Sequence, residues 1–137
     1  MRARVRKVAH VFERIGLAMA GAASGLFVGA HVGSSIALLT SQGFLLVMMI
    51  SGAIGFYLGI DTPPQIFEHG PSRKVDAAEF LSAAGTFLAA LTAFVSVGVI
   101  VLHDNTHIFW TTMILLAWTI GVTMQIVAGA IARFRAR

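Results

Sequence analysis

The stretch "GAASGLFVGAHVGSSIALL", residues Gly21 to Leu39, is an apolar run without a single charged side chain. Glycine falls at positions 21, 25, 29 and 33, and one ionisable ring, His31, sits among them. A run of about 20 mostly apolar residues is what a helix needs to cross a hydrocarbon core of roughly 30 Å. Glycine every fourth residue turns a helix by about 400° per step, so the four glycines form one slowly winding stripe without side chains. Lipid tails are as apolar as leucine, so helices in a bilayer associate by close backbone packing, and such a stripe is the surface that permits it. The stretch therefore predicts a membrane-spanning helix with a flat packing face.

Three further apolar runs follow, so that spans are expected at about 15–39, 44–60, 80–102 and 108–132. None reads as a cleaved signal peptide, because the first follows a charged stretch and is too long for a signal core. The whole chain of 137 residues is 57% hydrophobic and 12% charged, with a mean hydropathy of +0.83. A soluble domain of that composition would lack the polar surface to stay dispersed. The connections "TSQG" and "HDNTH" are very short. The expected fold is all-α, one integral membrane domain over 1–137, a four-helix bundle built of two tight helical hairpins. The segment 61–79 is the one sizeable connection, and its Pro63-Pro64 and Gly70-Pro71 pairs forbid a continuous helix across it. Asp76 and Glu79 have the spacing of a capping box at the start of the third span.

The charges set the expected orientation. All ten Lys and Arg residues fall before the first span, between the second and third, or after the fourth. By the positive-inside rule these regions are cytoplasmic, so both termini are expected inside, with "TSQG" and "HDNTH" outside. Residues 1–14 mix Val5, Val8 and Phe12 with basic residues and read as an interfacial helix, drawn to an anionic leaflet by about 1 kcal/mol per cation near the surface. The sequence pI near 10.8 thus points to a lipid surface and away from nucleic acid. The expected setting is a bacterial inner (plasma) membrane.

Every span carries small residues at four-residue spacing: Gly55 and Gly59 on the second, Gly85, Ala89 and Ala93 on the third, and Ala117, Gly121 and Gly129 on the fourth, the last series interrupted by Gln125. Gly21, Gly25, Gly29, Gly33, Gly55, Gly59 and Gly121 are the expected helix-packing positions. "AASGLFVGA" from Ala22 resembles "SAAGTFLAA" from Ser82, a faint internal repeat. His31 lies about 200° around the helix from Gly29 and Gly33. It shares its side with Ser24, Phe27, Ser34 and Ser35, which predicts a first helix buried on two opposite sides.

An ionisable ring inside a membrane is a functional hypothesis by default. Ser51, Thr92, Ser96, Thr112 and Thr119 lie at comparable depth and could satisfy a neutral His31. Gln125 is the other strongly polar side chain within a span, separated from His31 by more than about 10 Å along the normal at 1.5 Å per residue. His31, Ser24, Ser35 and Gln125 are thus the candidate polar or permeation site. His103, Asp104 and His107 form a weak candidate metal site in the outer turn; His10 and His69 have no ligand spacing. Cysteine is absent, which removes disulfides and thiol chemistry. No cofactor motif, phosphate-binding loop or nucleophile with its base is present, so an enzyme is not expected. Small four-helix multidrug exporters are similar in size and span count, yet they depend on a membrane-embedded glutamate, and the spans here hold no Asp, Glu, Lys or Arg in their interiors. Two readings of function remain open. One is a non-enzymatic packing or accessory subunit that assembles with itself or with other membrane subunits. The other is an oligomeric channel or transporter for small ions or solutes, lined by His31 and Gln125.

Overall fold

The computed structural model describes residues 2–59, 77–103 and 107–135. They form four helices: α1 (Arg2–Ser35), α2 (Gln42–Gly59), α3 (Ala77–Val101) and α4 (Ile108–Arg135), with a short 3-10 turn, Ala37–Leu39, after α1. Each helix is long and apolar enough to cross a membrane. The chain is thus an all-helical protein of the integral membrane class. The connection 60–76, with the expected Asp76 cap, and Asp104 of the outer turn lie outside the described residues.

The boundaries differ most from the sequence reading at the two ends of the first helix; α2 and α3 also begin earlier, at Gln42 and Ala77, and α4 runs on to Arg135. Residues 2–14 do not form a separate helix; they run without a break into the first span, so α1 is one helix of 34 residues. No proline or turn sequence interrupts them. Its far end comes at Ser35 instead of Leu39, because Ile36 is extended (φ −124°, ψ 104°). Hydroxyls close that end. Ser34 and Ser35 both donate to the His31 carbonyl, at 2.8 and 3.0 Å, and Thr40 donates to the Gly33 carbonyl at 2.8 Å. These are carbonyls near a helix end, where intrahelical partners run out. Ser41 accepts the Phe44 N–H at 3.1 Å and so caps α2. "TSQG" therefore stops one helix and starts the next.

α1 makes its broadest contact with α2, and α3 with α4; α4 also reaches α2 and α1, while α2 and α3 touch least. The interior is made of small and hydroxylic residues as much as of large apolar ones. Its apolar core is Val28, Val32, Met48, Phe56, Ala89, Ala93, Trp118 and Val122. The large apolar residues face outward: Phe12, Phe87 and Phe94 are 68%, 68% and 79% exposed. A water-soluble monomer rarely shows contiguous apolar surface on that scale, whereas lipid solvates it without cost.

Glycines carry the closest contacts. A Cβ built on Gly21 would lie on the Gly52 carbonyl, and one on Gly52 would lie on the Gly21 carbonyl. A Cβ on Gly25 would strike the Met48 carbonyl. Gly85 and Gly121 form the equivalent reciprocal contact between α3 and α4, each would-be Cβ falling 2.6 to 2.9 Å from the other's carbonyl oxygen. The stripe on α1 weakens as it winds away. Gly29 meets only side-chain atoms of Leu45 and Met48, the nearest at 3.1 Å, and Gly33 meets the Leu39 carbonyl at 3.2 Å. Gly33 thus packs on the connection and not on a neighbouring helix.

Candidate functional site

The polar residues of the interior occupy a seam between helices. Ser24, His31, Ser82, Thr92, Ser96, Thr111 and Gln125 are all buried, His31 at 1% exposure and Ser96, Thr111 and Gln125 at 0%. On α1 they do not define a second, opposite face. The buried positions Gly21, Ser24, Gly25, Val28, Gly29, His31 and Val32 form one broad arc, glycines at one edge and Ser24 and His31 at the other. Val28 and Val32 fill the middle, so α1 lies against α2 on one flank and α4 on the other. Phe27, Ser34 and Ser35, expected beside His31 on a buried face, are exposed. Ser24 and Ser35 therefore do not share a site.

His31 finds its hydroxyl on α4. Its Nε2 lies 3.5 Å from Thr111 Oγ1, at the outer limit for a hydrogen bond. Thr111 is not among the partners expected from depth; its neighbour Thr112 donates to its own helix at Ile108, as Thr119 does at Leu115. The reason is the phase of α4. Thr111, Trp118 and Gln125 recur at seven-residue spacing and share the buried side with Gly121, Val122, Ala128 and Gly129. Stepping back from Gln125 by sevens would have found both Thr111 and Trp118. Ser96 and Thr92 donate to carbonyls of their own helix, at 2.8 Å for Ser96 to Thr92.

Trp118, which polarity alone does not single out, joins α4 to α1. It is 2% exposed, and its indole Nε1 donates to Ser24 Oγ at 2.8 Å. A buried indole N–H needs such a partner. Below it, toward the C-terminal ends of α2 and α4, Gln125 Nε2 donates to Thr86 Oγ1 at 2.8 Å. Its body rests on the bare backbone of Gly55 and Gly59, whose would-be Cβ atoms lie 2.8 Å from Oε1 and 3.5 Å from Cβ and Cγ of Gln125. Gly55 and Gly59 thus make room for an amide. Gln125 Oε1 is buried without a hydrogen-bond partner. Close by, Ser82 donates to the Gly59 carbonyl, fastening α3 to the end of α2.

The outer-turn histidines have local partners. His103 takes a left-handed backbone (φ 52°) just past the end of α3, a conformation common at helix ends, and its Nδ1 lies 3.1 Å from the Val101 carbonyl. His107 Nδ1 accepts the Phe109 N–H at 3.3 Å and acts as a cap for α4. Among the described residues no three His, Cys, Asp or Glu side chains stand together as a metal site.

Fold and seam together define a polytopic helical membrane protein whose interior polar groups pair mostly with one another and with helix carbonyls. Comparison with protein-family models, with curated proteins and with solved structures finds no match for this chain.

Proposed function

We propose that this chain is a non-enzymatic packing or accessory subunit of a homo- or hetero-oligomeric membrane assembly, with both termini and the connection between α2 and α3 cytoplasmic and two helical hairpins, α1–α2 and α3–α4. The observation that carries the reading is a second small-residue side on α1. Gly16, Ala20, Ala30 and Ser34 lie on its outward side and are exposed, with the exposed ring of Phe27 among them, and nothing stands within 4 Å of a Cβ built on Gly16. The inward glycines are already used within the chain. An outward run of small residues is the surface a further transmembrane helix packs against.

The channel reading would need a path inside one bundle. His31 and Gln125 are both buried within a single chain, and between their levels Trp118 crosses the interior to Ser24. Copies meeting side by side would not line a shared pore with either residue. Gentle extraction from the native membrane, followed by mass determination of the intact complex, tests the proposal. A stable complex with other subunits, or a non-conducting homo-oligomer, is expected. A homo-oligomer that conducts ions or solutes in liposomes, with a flux or pH dependence altered by His31→Gln, overturns it. Orientation is checked separately with an impermeant thiol reagent: cysteines at Ser41 and Asn105 are expected to label from outside and one at Ser72 from inside.

A further inference from the structure

At the end of the bundle where α2 and α4 finish, α2 ends at Gly59 and α4 runs on to Arg135. Gly129 is pressed against Leu58, its would-be Cβ 2.5 Å from the Leu58 carbonyl and 2.8 Å from the Leu58 Cβ. One turn further along α4 an open crevice of about 240 Å³ begins, lined by Leu58, Ala130, Arg133 and Phe134. Three of its four lining residues are apolar and the fourth is Arg133. Phe134 is 76% exposed, an aromatic ring at the level where a span leaves the hydrocarbon.

This end of the molecule is also its cationic end. Arg14 of α1 stands over the Tyr57 ring at 5.4 Å and donates to the Tyr57 hydroxyl at 3.4 Å, one residue from Leu58. Arg135 follows Arg133 on α4. The described carboxylates at this end, Glu13 and Glu79, are exposed, and neither lines the crevice. An apolar slot with an arginine at its mouth, set at the level of a leaflet surface, suits a molecule that is an anion at one end and a hydrocarbon at the other. Arg133 already has a partner within the protein, and a guanidinium carries five N–H donors in a fixed fork that matches phosphate oxygens.

We propose that this crevice is a binding site for an anionic phospholipid, with Arg133 holding the phosphate and Leu58, Ala130 and Phe134 receiving the glycerol and the first acyl carbons. The proposal rests on the reading of this end as the cytoplasmic end of a membrane-spanning bundle. The site would fasten the C-terminal ends of α2 and α4 to one leaflet.

The test is native mass spectrometry of the full chain in mild detergent with phosphatidylglycerol or phosphatidylcholine added. The expected result is about tenfold stronger retention of phosphatidylglycerol, because both lipids offer the phosphate but the quaternary ammonium of phosphatidylcholine offsets its charge beside Arg133. Arg133→Gln should remove the preference and Arg133→Lys keep part of it. Ala130→Leu, which fills the crevice, should weaken retention of both lipids, and Arg135→Gln should leave the preference intact. Thermal unfolding of each variant verifies that it is folded. Equal retention by wild type and Arg133→Gln overturns the site, as does an equal loss in Arg135→Gln, which would mark a general surface charge. Displacement of the lipid by millimolar glycerol phosphate would reassign the crevice to a free phosphate compound. Resistance of the chain to alkaline extraction from membranes reports the spanning reading independently, so a chain that stays embedded but shows no lipid preference loses only the site.

Discussion

The contacts within each closely packed pair of helices rest mainly on glycine against backbone, and those between the pairs mainly on side chains that reach across. Along α1–α2 and α3–α4 the closest approaches are glycine against backbone, at Gly21–Gly52, Gly25–Met48 and Gly85–Gly121. Between the pairs glycine meets backbone at one place, Gly129 against the Leu58 carbonyl, and elsewhere single side chains reach across: Trp118 to Ser24, His31 to Thr111, Ser82 to the Gly59 carbonyl. The first kind of contact works by the absence of atoms and the second by the presence of particular ones. Backbone-close packing gains dispersion over a long line and tolerates no added volume. A hydrogen-bonded crossing fixes how the pairs are set against each other and is worth little per bond in a membrane, about 0.6 kcal/mol on average.

The largest expected effect follows from the first principle. Gly25→Leu or Gly21→Leu places side-chain atoms where a backbone carbonyl stands, and neither partner can move without separating α1 from α2. Overpacking of this kind costs about 3 kcal/mol or more. Detergent-solubilised protein should lose its monodisperse peak or melt far lower. Gly29→Leu, which meets only the movable Leu45 and Met48 side chains, should cost clearly less, and Leu26→Ala least of the set. Equal melting temperatures across the series would break the distinction between backbone and side-chain contacts.

Next comes the crossing between the pairs. Trp118→Phe keeps most of the ring volume but removes the donor to Ser24, and should cost about 1–2 kcal/mol from the lost bond and the small cavity. A double-mutant cycle with Ser24→Ala should return a coupling near 1 kcal/mol. A coupling of zero would show that the indole contributes by volume alone. Gln125→Leu should cost less, below about 1 kcal/mol. Gln125 Oε1 is buried without a partner, so its removal relieves a desolvation cost, and the Thr86 hydroxyl stays satisfied through its own bond to the Ser82 carbonyl at 2.8 Å. A loss of several kcal/mol would mean that the unpaired oxygen binds something in the native protein.

The same contrast explains what the sequence could and could not show. Apolar length made all four spans legible, and four-residue spacing pointed to Gly21, Gly25, Gly85 and Gly121, because a run of small residues is a local signal. The polar crossings join residues 80 and 94 positions apart, and no local pattern says which hydroxyl His31 will meet or that Trp118 will meet one. Depth alone offered Thr112 where helix phase selected Thr111. The end of α1 was missed for a related reason: Ile36 to Leu39 is as apolar as a span, yet the helix ends where Ile36 turns extended and Thr40 reaches back to the Gly33 carbonyl. The crevice at Arg133 had no signal in the sequence, since its lining residues, Leu58 on α2 and Ala130, Arg133 and Phe134 on α4, are brought together only by the packing of the two helices.

The smallest effect on the isolated chain is expected where glycine meets nothing. Gly16 and Gly98 have open space around a would-be Cβ, and both lie inside helices, so Gly→Ala there replaces the more costly of the two residues in a helix. Each should leave the melting temperature unchanged or raise it by the equivalent of up to about 1 kcal/mol. The two then separate by location. Gly16 belongs to the outward small-residue side of α1 and Gly98 does not, so Gly16→Leu should release associated subunits on gentle extraction while Gly98→Leu keeps them, with both chains still folded. If neither change alters what is extracted with the protein, the outward side of α1 faces lipid and the accessory reading loses the surface on which it stands.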